Sequence, residues 1–285
     1  MQTPILVTGA SGNVGREIVK LLSEGGFAVR AADRRVAQPE AEPMSNVEAI
    51  AFDFNKPETF APALAGVERM FLMRPPAIAN VRRFIFPAID AAKQAGVQHI
   101  VFLSLIGVEK NRIVPHYKIE QHILASGLDY TFLRASFFMQ NLNTAHRREI
   151  RERSEIFVPA GKGKTSFIDV RDIAAVAALA LTQAGHAGQA YDLTGGEALD
   201  YDQVAQLFSQ ALSRPIIYRR PSLLRFLHRQ HESGVPWSMA LVLAGIYTTA
   251  RLGLAGRLAE DTRRLLGRAP IRLKDYIDDY KAAWA

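Results

Sequence analysis

The sequence predicts an α/β protein: a doubly wound parallel sheet with helices on both faces, followed by a smaller, mainly helical carboxy-terminal lobe. Three observations predict it. Through the first 134 residues, short runs rich in β-branched and aromatic side chains alternate with helix-patterned runs. The first strand-like run ends directly in the glycine series of "ILVTGASGNVG" (5–15), and a helix-patterned run follows it. After residue 134 the alternation stops, and a polar, charged helical run leads into mixed short elements.

Taken in order, the expected strands of the first part are 5–7, 28–33, 47–53, 69–73, 99–104 and 130–134. Between them lie helices: one with its apolar stripe on Val14, Ile18, Leu21 and Leu22, then 59–64, 81–95 and 118–125. Gly25, Gly26 and Gly96 fall where helices stop. A helix over 137–153 then leads to a strand at 155–158 and the turn-like "AGKGK" at 160–164. "SFIDVRDIAAVAALAL" reads as strand then helix, with Asp172 near the helix start, where its charge favours the exposed amides. "AYDLTGGEALDYDQVAQLFSQAL" reads as strand, turn and helix, 216–218 as a further strand, and the tail from Pro221 as mainly helical. The expected division is 1–154 and 155–285, with 165–183 packing back on the first part.

Composition narrows the chemistry. The 285 residues are 48% hydrophobic and include no cysteine, which excludes disulfides, thiolate metal sites, iron–sulfur clusters and cysteine nucleophiles. The seven histidines show no His-x-x-x-His pair, so no metal site is expected. The first residues lack the pattern of a secretion signal, and the longest apolar stretch, 237–250, falls short of the roughly 20 residues that cross a bilayer. A cytoplasmic location without a membrane span is therefore expected. The net charge is +7, yet the segment from Arg214 to Arg272 alone holds eleven arginines against three acids. Those arginines are scattered among apolar residues without interleaved aromatics, so a solvated or cofactor-facing surface is expected rather than a nucleic-acid site.

The glycine series carries the first functional reading. A strand, then Gly9-x-x-Gly12-x-x-Gly15, then an amphipathic helix is the setting of a dinucleotide site. Gly9 permits the tight turn, Gly12 lets amides approach a pyrophosphate, and Gly15 lets the helix pack on the strand. Thr8, Ser11, Asn13 and Val14 complete the expected phosphate-binding turn, since the helix amino terminus favours negative charge. At the end of the second strand stands "AADRR": Asp33 suits the adenosine ribose of NAD, while Arg34 and Arg35 suit the 2′-phosphate of NADP. The expected cofactor is NAD(P), with the choice open. Asp53 and Phe54, ending the third strand, are expected to flank the adenine. Met73 and Arg74, ending the fourth, are expected near the nicotinamide, because ligands lie at the carboxyl ends of such strands.

These residues resemble the atypical short-chain dehydrogenase/reductases of the NmrA-like type, which include type 2 quinone oxidoreductases, triphenylmethane reductases and non-catalytic redox-sensing regulators. Beyond the glycine series, the matching stretches are "VRAADR", "VFLSLIGV", "HYKIEQHILASGLDYTFLRASFFMQNL", "SFIDVRDIAAVAALAL", "YDLTGGEALDYDQVA" and "GRAPIRLKDYIDDYKAAW", which together cover nearly the whole chain. The resemblance implies a Rossmann lobe, a smaller carboxy-terminal lobe and a substrate cleft over the nicotinamide. The wider superfamily uses Ser with Tyr-x-x-x-Lys, and Ser104 matches the Ser. Counting back from "ASGLDYTFLR", the lysine and tyrosine positions hold His116 and Arg112, while Tyr117 and Lys118 stand nearby out of register.

Without the Tyr–Lys pair, alcohol oxidation lacks its proton acceptor. Reduction of a quinone needs less help, because its phenolic product has a pKa of about 10. The chain therefore reads as an NAD(P)H-dependent reductase of a quinone or another conjugated, aromatic small molecule. Ser104, His116 and Tyr117 are its candidate catalytic residues, Ser104 also touching the cofactor. Phe137, Phe138 and Asn141 are candidates to wall the acceptor site. The alternative is a non-catalytic NAD(P)-binding redox sensor with a regulatory protein partner.

Overall fold

The computed structural model describes residues 3–34 and 45–285. The chain divides into two compact units, Met1–Ala135 with Val170–Leu193 and Ser136–Asp169 with Thr194–Ala285. In chain order the elements begin β1 (Ile5–Thr8), α1 (Asn13–Glu24), β2 (Val29–Asp33), β3 (Val47–Ala51), α2 (Phe60–Leu64), β4 (Arg69–Met73), α3 (Val81–Phe84), α4 (Phe86–Gln94), β5 (His99–Leu105), α5 (Pro115–Ser126) and β6 (Asp129–Ala135). They continue β7 (Phe137–Phe138), α6 (Arg147–Arg153), β8 (Glu155–Ile156), β9 (Thr165–Ile168), α7 (Val170–Thr182), β10 (Gln189–Leu193) and β11 (Ala198–Leu199). The last are α8 (Tyr201–Leu212), β12 (Ile217–Tyr218), α9 (Leu223–Glu232), α10 (Trp237–Arg251), α11 (Asp261–Leu266) and α12 (Leu273–Asp279).

The first unit is built on a seven-stranded parallel sheet in the order β10-β6-β5-β4-β1-β2-β3. β1 is buried along its whole length, as a central strand covered on both faces must be. Leu6, Met70, Leu72, Ile100 and Phe102 pack in one core cluster with residues of α2 to α5. α1 buries the stripe Val14, Ile18, Val19 and Leu22 and lies beside α7, whose buried Ala174, Ala177 and Ala180 permit close approach. Strand order reverses between β1 and β4, so the carboxyl ends of these strands flank the switch point where open α/β sheets bind ligands. The expected doubly wound class is what the chain forms.

The second unit holds the sheet β11-β9-β7, the pair β12-β8 and helices α6 and α8 to α12. Its core joins Phe167, Tyr201, Phe208, Phe226, Tyr247, Tyr276 and Trp284. α8 opens with a reciprocal cap: Asp200 accepts from the Gln203 amide at 2.9 Å while the Gln203 side chain accepts from the Asp200 amide at 3.0 Å.

Four expectations of the element order differ. The helix over 81–95 breaks at Ile85, because Pro87 near the start of α4 lacks the N–H that would continue α3. α5 begins at Pro115 rather than 118, a proline being well suited to the first helical turn. The helix expected over 137–153 forms only from Arg147, since Phe137 and Phe138 pair as a strand with Phe167 and Ile168. The units also divide elsewhere than at 154. β10 pairs with β6, Tyr191 opposite Leu133, so 170–193 belongs to the first unit while β9 belongs to the second. Among the described residues no helix is long and apolar enough to cross a membrane.

Candidate functional site

At the end of β1 the chain turns at Gly9 with φ of +66°, a conformation that costs other residues strain. A side chain there would also run into the Met73 methyl, which lies over the turn. The Gly12 amide closes the turn on the Gly9 carbonyl at 2.9 Å, and the Ala10 amide ties it to β2 at Ala32 O, 3.2 Å. Gly15, one turn into α1, presses against the same Gly9 carbonyl so closely that a Cβ would overlap it. The consequence is a helix start held flat against the strand end.

That start is open. Gly12 is the N-cap, no side chain caps α1, and no acid stands in its first turn. The first-turn amides have no intrahelical acceptor, so they present unsatisfied donors and the positive end of the helix dipole. Asn13 is exposed there, whereas Val14 is buried and contributes through its backbone. Thr8 differs from expectation. Its hydroxyl donates to Phe71 O at 3.0 Å and accepts from the Met73 amide at 3.0 Å, so the buried side chain clamps β1 to β4.

Asp33, at the end of β2, turns back to this loop. It accepts from the Ser11 amide at 2.9 Å, from the Ser11 hydroxyl, and from the Arg34 amide at 2.8 Å. Burial alone would raise its pKa, but these hydrogen bonds outweigh it and hold the carboxyl below the usual range. A carboxylate fixed beside the phosphate turn suits ribose hydroxyls and repels a 2′-phosphate. Arg34 is exposed next to it, and Arg35 lies outside the described residues. Asp53 forms a local turn, accepting from the Asn55 amide and side chain at 2.9 and 3.0 Å. Phe54 is taken up by the core, edge-on to Phe52 at 5.3 Å, so its ring does not stand free to flank an adenine.

The carboxyl ends of β4 and β5, with the start of α5, carry the remaining candidates. Ser104 is buried and donates to Glu120 Oε1 at 2.6 Å. Arg134, opposite Ser104 in the β5–β6 register, grips the same carboxylate through Nε at 3.1 Å and Nη2 at 2.8 Å. Its Nη1 lies 3.6 Å from Glu109. Hydrogen bonding to Glu120 keeps Arg134 more firmly protonated than an ordinary arginine. Glu120 and Arg134 were not among the residues expected from sequence. The available signal was a Glu four residues after His116 on a helix face with Ile119 and Ile123, and a lone Arg inside the apolar run "YTFLRA".

His116 is buried, its ring 6.0 Å from that of Phe102, and its Nδ1 has no hydrogen-bond partner among the described residues. Burial, reinforced by the positive charge of Arg74, pushes its pKa down to about 3. At neutral pH the imidazole is therefore uncharged, able to donate one hydrogen bond but not to act as an imidazolium acid. Arg74 is itself desolvated, which lowers its pKa. Its Nη1 donates to the carbonyls of Pro75, Pro76 and Ile78, the last at 2.7 Å, while its buried Nε finds no partner. His116 Nδ1 and Arg74 Nε are thus two buried polar atoms without a hydrogen-bond partner among the described residues, Arg74 directly after β4, which neighbours β1 in the sheet order. Tyr117 is half-buried and Arg112 exposed.

In the second unit, Phe137 stacks edge-on to Phe167 at 5.6 Å and tilts against Tyr247 at 5.9 Å. Phe138 and Asn141 are half-buried, Asn141 in the turn Met139–Leu142 with its carbonyl accepting from the His146 amide at 3.1 Å.

Comparison with known proteins agrees with this architecture. The chain is 34% identical over 286 residues to the NAD(P)H azoreductase of Xenophilus azovorans, covering 98% of this chain and 99% of that protein. It superposes on the Citrobacter sp. triphenylmethane reductase complexed with NADP(H) with a TM-score of 0.84 at 26% identity, over 97% of this chain and 99% of the other. For the Escherichia coli NADPH-dependent quinone oxidoreductase complexed with NADPH the TM-score is 0.88 at 25% identity, over 96% and 99%. The NmrA-like family model matches residues 1–250, and the chain belongs to the NmrA-like family.

Proposed function

We propose that the protein is an NAD(P)H-dependent reductase that delivers hydride to a quinone, an azo compound or a similarly conjugated small molecule. The observation that carries this reading is the uncapped start of α1, held open by Gly9, Gly12 and Gly15 beside an anchored Asp33. The first-turn amides would hold the pyrophosphate, Asp33 the adenosine ribose, and Arg34 a 2′-phosphate if present. When bound, the nicotinamide supplies the hydride. The activities named for the azoreductase, triphenylmethane reductase and quinone oxidoreductase relatives support an electron-poor, conjugated acceptor.

The chain's own residues then have distinct tasks. Neutral His116 donates a hydrogen bond, either to the acceptor oxygen or nitrogen or to the nicotinamide ribose. Ser104 donates a hydrogen bond to Glu120 and acts as a positioning residue, tying β5 to α5 and so holding His116 in place. Arg134 balances the Glu120 carboxylate. Tyr117 is proposed as a second donor toward the acceptor. Phe138 and Asn141 are proposed acceptor contacts, with Phe137 in support because its ring is already packed on Phe167 and Tyr247. A quinone needs only such a donor, because hydride transfer leaves a phenolate whose conjugate acid has a pKa of about 10 and which takes its proton from water; an azo acceptor takes a proton from water as the hydride arrives.

Separate titrations with NADH and NADPH, followed by absorbance loss across quinones, azo dyes and enones, test the reading. Binding without consumption of cofactor on the whole panel overturns it. A second reading, a non-catalytic redox sensor, is favoured by one observation: the Ser104 hydroxyl is committed to Glu120, and His116, neutral at pH 7, offers a hydrogen bond but no imidazolium acid. In that case partners in a pulldown would change with the NADPH/NADP ratio.

A further inference from the structure

The turn "AGKGK" and the end of α10 come together in the second unit around a concavity of about 930 Å³. Lys162, Lys164, Arg251 and Arg257 line it with Leu252 and Leu254, and no carboxylate does. We infer that this concavity binds a small organic anion, a sulfonate, phosphate or carboxylate attached to an apolar body.

The cleft is built rather than incidental. Gly163 lies so flat on the last turn of α10 that a Cβ would overlap the Ala250 carbonyl. Its amide closes the turn on Ala160 O at 3.0 Å, and Gly161 takes a φ of +60° to let the turn form. On the other side, the Ser166 amide and hydroxyl both donate to Ala255 O, at 2.8 and 3.2 Å. Both walls are thus fixed by backbone contacts before any ligand arrives, which lowers the ordering cost of binding.

Cations at a helix carboxyl terminus often serve to neutralise its carbonyls. Here the chain already does so: the amides of Leu252, Gly253 and Leu254 bond to the carbonyls of Thr248, Ala250 and Thr249. Lys162, Lys164 and Arg251 are exposed and have no acidic partner among the described residues. Like charges around one concavity focus a positive potential within it. Leu252 and Leu254 are 67% and 70% exposed, an apolar surface beside the charges that a bare inorganic ion would leave wet. A recess without aromatic lining favours a small molecule over a stacked nucleic acid or a flat bilayer.

The test is a titration of 2-naphthalenesulfonate into the full chain, with and without NADPH, so that it stands apart from the cofactor reading. Saturable binding is expected, weakened at least about tenfold in Lys162→Gln/Lys164→Gln and in Arg251→Gln, the loss of one charge-assisted hydrogen bond or more. 2-Naphthol, of the same shape without the charge, should bind at least about tenfold more weakly. Equal affinity in both variants, equal binding of 2-naphthol, or capture by phosphatidylserine vesicles that the sulfonate does not displace overturns the inference. The source of the anion separates in turnover with a sulfonated azo dye. A KM that rises with the lost affinity assigns the anion to the acceptor, and an unchanged KM assigns it to a separate ligand.

Discussion

Two glycine turns in this molecule handle charge in opposite ways. The turn at 9–15 opens onto a helix amino terminus and uses backbone amides alone, with Asp33 as its charged neighbour. The turn at 160–164 lies on a helix carboxyl terminus and depends on lysine and arginine side chains. In each, a glycine is pressed onto a carbonyl, Gly15 onto Gly9 and Gly163 onto Ala250. Glycine therefore marks close backbone approach in both, and only what surrounds the turn distinguishes a dipole-based cradle from a charge-based one.

Breaking the approach should have the largest effect. Gly15→Ala and Gly163→Ala each force backbone apart and should cost about 3 kcal/mol, seen as a lowered midpoint in thermal or denaturant unfolding. Gly256→Ala, whose Cβ would meet Lys164 Cβ at 3.4 Å, is the mild control. Equal behaviour of the three would dissolve the parallel between the turns.

The charged residues of the first unit come next. Glu120→Ala leaves Arg134 and Ser104 without their shared acceptor, and about 2 kcal/mol should be lost, less than for a fully buried pair because Arg134 is partly solvated. Glu120→Gln should recover part of this, and an unperturbed unfolding curve for Glu120→Ala would show that the network does not stabilise the fold. Asp33→Ala should shift the ratio of NADPH to NADH affinity upward by about tenfold, since a fixed negative charge near a 2′-phosphate is removed. Titration of both cofactors reads this directly.

A pH-dependent effect distinguishes His116 from an ordinary surface histidine. Its folded pKa, about 3, lies below the ordinary histidine value of 6.5, so between these values the unfolded chain binds the proton and the folded one does not. Stability is complete above pH 6.5 and declines as pH falls toward 3, by about 1.4 kcal/mol per unit. His116→Gln should flatten that slope in unfolding measured from pH 7 to 4. A kcat/KM profile with a histidine step near 6.5 in the unmodified protein would show that the imidazole is not kept neutral.

Much of the first unit was legible because parallel α/β order is written in local patterns. Alternating apolar runs named the strands, and the glycine spacing after "ILVT" located the phosphate turn. Phe54 was placed at the cofactor because it ends a strand and Thr8 because it opens the phosphate turn, yet their side chains face the core and the neighbouring strand. Strand ends identify a backbone position, whereas side-chain direction depends on what packs beside it. The 137–153 segment was read as helix because its charges dominate, while Phe137 and Phe138 found a partner strand near residue 167. Local propensity yields to such pairing.

Glycine placement, strand and helix periodicity and the absence of cysteine are properties of neighbouring residues, and from them the fold class and the dinucleotide turn followed. The Ser104–Glu120–Arg134 network, the neutral state of His116 and the meeting of 160–164 with 251–257 arise only on packing. Hydrogen-bond partners far apart in the chain, and the loss of water that sets a pKa, do not exist until the strands and helices have closed on one another.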